Sequence, residues 1–160
     1  YAKPPTPAPV KSNLPDTINV TVAGNIVMAG QPSKEAFKEL AKRNIKTVIT
    51  LRHPEEEDFD QVTLCDELGM KCIRLKIRSP DDIDSKLIKR ACELLGSASD
   101  DSGVLLHCAS ANRVGAIWLA YRVRNESIPI EQARKEAATV GLKTKVLEKQ
   151  TIKVLEDESL

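Results

Sequence analysis

The stretch Val104-Leu105-Leu106-His107-Cys108-Ala109-Ser110-Ala111-Asn112-Arg113-Val114-Gly115 constrains the fold of this chain more than any other. It opens as a short apolar run, the pattern of a buried strand, and closes where the helical run Ala116-Ile117-Trp118-Leu119-Ala120-Tyr121 begins. A tight loop joins the two, with Cys108 at its first position and Arg113 at its last. A loop of this kind turns several backbone N–H groups toward one spot, and the helix N-terminus adds positive partial charge there. The concavity suits an anion, and a thiol at its floor is expected to give up its proton readily.

The rest of the chain supplies a frame for that unit. Ile18–Val22 alternates like a strand, Gly24-Asn25 reads as a turn, and Ile26–Ala29 as the hairpin partner. Gly30-Gln31-Pro32-Ser33 breaks the pattern, and Ser33 is a fitting N-cap for a helix carrying Ala36, Phe37, Leu40 and Ala41 on one face. Ile45–Leu51 and Lys71–Ile77 read as further strands. Helices are expected over about Phe59–Leu68, after Asp84 or Ser85, to about Arg124, from Pro129 to Gly141, and over Lys145–Leu155. This alternation predicts an α/β fold, a mostly parallel central sheet with helices on both faces. Ligands of such sheets bind beyond the carboxyl ends of the strands. Arg52-His53-Pro54, the Arg78–Asp84 loop and the cysteine loop are all expected at that edge.

The His107-Cys108 pair, with Arg113 after a short loop, resembles the active-site loop of the cysteine-dependent phosphatases of the tyrosine and dual-specificity type. Their pattern is His-Cys, five residues, Arg, then Ser or Thr. Here four residues separate Cys108 from Arg113, and Val114 follows the arginine. With the shorter loop and the Gly30-Gln31-Pro32-Ser33 segment together, roughly residues 18–140 more closely resemble a phosphatase-like bacterial domain of unknown function. That domain is associated with β-lactamase-fold persulfide dioxygenases. The resemblance implies a cysteine-phosphatase-like fold, a phosphorylated substrate and a cysteinyl-phosphate intermediate, with no cofactor and no metal. It implies that His107 orders the loop backbone. It also implies a general-acid aspartate in the loop before the helix that precedes the cysteine strand. Asp81 is favoured for that role, because Pro80-Asp81 matches the Pro-Asp of that loop in tyrosine phosphatases, and Asp82 stands next to it.

Read from the residues themselves, Cys108 is the candidate nucleophile, and Arg113 offers a planar fork for phosphate or sulfur-oxyanion oxygens. Ala109, Ser110, Ala111 and Asn112 line the anion site between them, and Asn112 is the expected left-handed residue of the loop. Arg52 is a candidate second cation, or a holder of an acidic side chain in the general-acid loop, with a simple surface salt bridge as the alternative. The run Glu55-Glu56-Glu57-Asp58 reads as a solvated loop and helix start.

Two alternatives belong to other classes. A six-residue Cys108–Arg113 loop is the length used by rhodaneses, so a sulfurtransferase carrying a Cys108 persulfide is the second reading. A non-catalytic anion-binding module is the third.

Size and composition bound the partners. A chain of 160 residues is read as one domain over 17–160 behind a proline-rich tether over 1–16. A net charge of +1 and 3% aromatic residues give no reason to expect nucleic acid. No apolar run approaches the roughly 20 residues of a membrane span. The cysteines Cys65, Cys72, Cys92 and Cys108 lack zinc-ligand spacing, and the first three are expected as small buried hydrophobes. The sequence starts at Tyr1 and runs into Pro4-Pro5-Thr6-Pro7, which leads us to expect export to a periplasm or beyond, with a cytoplasmic location as the alternative. Substrate identity and oligomeric state are not written in the sequence.

Overall fold

The computed structural model describes residues 4–159. Six strands form one sheet: β1 (Val10–Lys11), β2 (Thr21–Ala23), β3 (Ile26–Ala29), β4 (Ile45–Thr50), β5 (Lys71–Arg74) and β6 (Gly103–His107). Their spatial order is β1-β2-β3-β6-β4-β5. The first three pair antiparallel, whereas β3, β6, β4 and β5 run parallel. The expected α/β architecture with a mostly parallel sheet is therefore present. β6 lies inside the sheet, flanked on both sides, which is why Gly103–His107 is buried at every position.

Six helices cover the sheet: α1 (Lys34–Lys42), α2 (Gln61–Glu67), α3 (Ser85–Gly96), α4 (Asn112–Glu126), α5 (Ile130–Val140) and α6 (Lys145–Glu158). Two apolar clusters result, one on each face. Phe37, Leu40 and Cys65 from α1 and α2 pack with Val27, Val48 and Leu105. Trp118, Ile117, Ile88 and Leu147 from the other helices pack with Met28, Ile49, Val104 and Leu106. Alternate residues of β6 thus serve opposite cores, as the period of two requires.

The helix starts follow local chemistry. Ser33 Oγ accepts from the Ala36 N–H at 3.0 Å, Asp60 Oδ1 from Thr63 N–H at 3.1 Å, and Asp84 Oδ1 from Leu87 N–H at 2.8 Å. Between the two candidate caps of α3, the structure selects Asp84. Pro129 precedes α5 as its cap residue rather than lying within its first turn.

Residues 1–3 of the expected tether lie outside the described residues, and the rest of it is held against the domain. Val10–Lys11 pairs with Thr21–Val22 as an edge strand, and Pro9 and Leu14 are buried. Thr6 donates from its N–H and its hydroxyl to Glu126, and its carbonyl accepts from Arg122. Its prolines forbid a helix but leave extended chain, which the sheet edge and the end of α4 then hold. No helix among the described residues is long and apolar enough to cross a membrane.

Candidate active site

At the carboxyl edge of the sheet Ala29, His107, Thr50 and Arg74 stand in one row across four parallel strands. The residues that follow them form the site. Cys108 leaves β6 with its N–H on the Ala29 carbonyl (3.3 Å) and its side chain buried, 1% of the residue being exposed.

Three successive carbonyls of the loop are held by outside donors. The Cys108 carbonyl faces His107 Nδ1 at 3.2 Å, the Ala109 carbonyl accepts from the Gln31 N–H at 3.0 Å, and the Ser110 carbonyl accepts from Asn19 Nδ2 at 2.8 Å. Every peptide bond described is trans, so C=O and N–H of one unit point in opposite directions. Holding those carbonyls aims the N–H groups of Ala109, Ser110 and Ala111 the other way, where none meets a protein acceptor among the described residues. The loop is a set of donors without a protein acceptor among the described residues, at the N-terminus of a 15-residue helix, a geometry that suits an anion.

Two close approaches make that shape. A Cβ on Gly30 would come within 2.7 Å of the Ala109 carbonyl oxygen, so only glycine lets the Gly30-Gln31 backbone reach the loop. Gly141 has φ +145° and lies against Ala111, where a Cβ would come within 2.9 Å. The left-handed residue of the loop is Ala111, at φ 73°, and not Asn112 as expected from residue type. Asn112 instead starts α4, and its Oδ1 accepts from the N–H groups of Lys143 (2.8 Å) and Thr144 (3.2 Å). Tertiary anchoring of Asn112 overrides the local preference.

Arg113 is held on one side only. Its Nη1 donates to the Ile77 carbonyl (2.9 Å), and Nη1 and Nη2 grip Glu56 at 3.3 and 2.9 Å. Its Nε meets no protein oxygen among the described residues, so the Nε–Nη2 edge is left for a ligand. Burial works against the Arg113 charge, but the bond from Glu56 and the neighbouring Cys108 sulfur raise its pKa.

Glu56 corrects the reading of the acidic run. The 3-10 turn Pro54–Glu56 carries it inward, while Glu55 stays exposed beside Arg78 and His53. Burial works to raise the Glu56 pKa, yet bonds from Arg113 and the His53 N–H, with the charges of Arg113 and Arg52, bring it to about 2. Glu57 is likewise committed, to Arg74 at 2.8 Å. Only part of the run is solvated.

Arg52 donates to Gln31 Oε1 at 2.7 Å, to the Glu56 carbonyl, and to Glu56 Oε1 at 3.5 Å. Its acidic partner is therefore Glu56, not a residue of the Arg78–Asp84 loop. His107 is fully buried, and burial lowers its pKa to about 3 against the opposing pull of the Cys108 carbonyl, so it is neutral.

The aspartates of the next loop separate by environment. Asp82 Oδ2 accepts from the Arg78 N–H (2.7 Å) and the Ser79 N–H (3.2 Å), and those bonds lower its pKa. Asp84 caps α3. Asp81 is exposed and makes no hydrogen bond or ion pair among the described residues.

Sequence reasoning missed Asn19, Glu56 and Gln61. Gln61 is fully buried in the first turn of α2, and its Nε2 lies 2.9 Å from His107 Nε2. A polar residue at a helix start reads as surface, so no local signal marks it.

Comparison with known proteins adds the lineage. A family model described as "Polymorphic toxin system, DSP-PTPase phosphatase" matches residues 23–127. No curated protein matches the sequence. Among solved structures, Pseudomonas aeruginosa TpbA is similar with TM-score 0.73 and 17% identity, over 94% of this chain and 89% of TpbA. A second TpbA structure, of a Cys-to-Ser form, holds phosphotyrosine. A phosphatase-like protein of Shewanella putrefaciens, from a domain family of unknown function, gives TM-score 0.71 and 16% identity over 89% of this chain and 94% of its own. Kinase-associated phosphatase gives 0.72 and 12%, over 84% and 87%. At these identities the structures establish a shared fold.

Proposed function

Because the chain belongs to the polymorphic-toxin DSP-PTPase family and is a cysteine-dependent phosphatase by that membership, we propose the following roles for its residues. Cys108, as thiolate, attacks phosphorus and forms a cysteinyl-phosphate. The N–H groups of Ala109, Ser110 and Ala111 and the Nε–Nη2 edge of Arg113 hold the equatorial oxygens. Asp81 gives its proton to the leaving oxygen, since an alkoxide departs poorly without one. Water then attacks phosphorus, releasing inorganic phosphate and the thiolate.

The observation that carries this reading is the pairing of unsatisfied loop donors with an arginine braced on one edge and open on the other. The capping duty of Asp82 leaves it a poor acid and supports Asp81 as the donor. No metal enters this scheme, because arginine and amides supply the positive charge.

The test is hydrolysis of an activated aryl phosphate from pH 5 to 8. Turnover should vanish in Cys108→Ser, and Asp81→Asn should lose about 100-fold or more, most on poor leaving groups. Absence of turnover by the wild type, with transfer of sulfur from thiosulfate, would replace this reading by the sulfurtransferase one. Phosphotyrosine, which TpbA binds, is the first peptide substrate to try. A periplasmic location is part of the same proposal, and cell fractionation would check it.

A further inference from the structure

The hydrogen bonds behind the cysteine loop have a fixed direction. Arg52 can only donate, and the Cys108 carbonyl can only accept, so each group between them is forced into one orientation. Arg52 Nη1 donates to Gln31 Oε1 (2.7 Å), and Gln31 Nε2 donates to Gln61 Oε1 (2.9 Å). Gln61 Nε2 donates to His107 Nε2 (2.9 Å), which leaves the proton of His107 on Nδ1, donated to the Cys108 carbonyl (3.2 Å). Flipping either amide would set donor against donor at one end and acceptor against acceptor at the other. The same Arg52 also holds Glu56, which holds Arg113. Both ends of the Cys108–Arg113 loop are therefore tied to one guanidinium by two separate arms.

We propose that Gln31 and Gln61 are positioning residues of the phosphatase reaction. They connect the Arg52 charge to His107, fix its neutral Nδ1–H tautomer, and keep the Cys108 carbonyl turned away from the anion. Since that peptide unit is trans, holding its carbonyl on His107 is what points the Ala109 N–H into the cradle. A loss of the line frees the unit to turn over, which would present a carbonyl oxygen to an incoming phosphate. Donors aligned head to tail strengthen one another in a buried setting, so the line acts as a unit. This inference rests on the assignment of Cys108 as nucleophile, and its test separates the two.

The chain has only two histidines, His53 and His107, so 15N-histidine labelling gives an uncrowded readout. In the wild type, His107 should show the neutral Nδ1–H pattern unchanged from pH 5 to 8. Gln61→Glu sets a carboxylate against Nε2 and should protonate that nitrogen. Gln61→Leu should mix the tautomers. Both should weaken inorganic phosphate binding and lower kcat/KM by about 10- to 100-fold. Gln31→Leu, at a half-buried position, should act in the same direction and serves where a Gln61 variant fails to fold. Folded variants with wild-type tautomer, phosphate affinity and turnover would overturn the proposal. A wild type that hydrolyses no phosphate ester would sink the phosphatase assignment, while the tautomer and the phosphate titration would still decide the role of the line.

Discussion

Helix α4 carries two arginine clusters, one at each end, and they differ in what they leave undone. Near its end Arg122, with 2% of its side chain exposed, donates to Glu136 (2.8 and 3.1 Å), Glu126 (2.9 Å) and the Thr6 carbonyl, and stacks on Trp118. Two carboxylates surround one guanidinium, and the Trp118 indole N–H adds a bond to Glu136 at 3.0 Å. At its start Arg113 shares a single carboxylate, Glu56, with Arg52, and keeps one edge open. Two guanidiniums against one carboxylate leave a surplus positive charge beside unsatisfied amides. One cluster is closed on itself, and the other keeps positive charge and donors uncommitted. Burial and ion pairing alone would have ranked them the other way round.

Substitution of the two arginines should break the comparison most sharply. Arg122→Ala strands two nearly buried carboxylates, and a loss of about 3–5 kcal/mol is expected in denaturant melts, with normal turnover per folded molecule. Arg113→Ala should lower kcat/KM by about 100- to 1,000-fold with a much smaller change in melting temperature. Equal effects of the two on stability would erase the distinction.

Glu56→Gln sharpens it. Removing the one carboxylate raises the local surplus of positive charge, so inorganic phosphate should inhibit about three- to tenfold more strongly. Turnover should nonetheless fall about tenfold, because the brace on Arg113 is weakened. Product-inhibition kinetics separate the two effects.

Acid titration gives the smallest effect. The folded pKa of Glu56 lies below its unfolded value near 4.5, so its contribution is complete above that value and disappears as pH falls toward about 2. Glu136 is lowered as well: burial opposes the shift, and bonds from Arg122, Gln132 and Trp118 outweigh it. Melting temperature should drop through this acid range, and Glu56→Gln should remove part of the drop while the share of Glu136 persists.

The frame of the molecule was legible because its signals are local. Apolar and β-branched runs marked β3, β4 and β6, Ser33 and Asp84 marked helix starts, and the apolar-to-loop transition marked Cys108. Alternation, by contrast, set strands at Ile18–Val22 and Lys71–Ile77 where the structure forms only Thr21–Ala23 and Lys71–Arg74. What the sequence withheld was the bracing around that centre. Glu56 sits in a run of four acids with nothing to single it out until the 3-10 turn aims it at Arg113. Gln61 looks like an ordinary polar helix start, yet its partner His107 is 46 residues away along the chain. Ala111 takes a left-handed backbone that residue type would assign to Asn112, because Asn112 is needed to pin Lys143 and Thr144. Each of these is settled by contacts distant in sequence.

The grip of Thr6 on Arg122 and Glu126 has a practical corollary. It fixes Thr6 at the far end of a helix whose near end is the cysteine loop. At 1.5 Å per residue that helix is about 22 Å long. A surface-immobilisation linker or a fluorophore attached at the exposed Pro4 or Pro5 should therefore stand clear of the cysteine loop, making that position the natural handle for single-molecule or biosensor work.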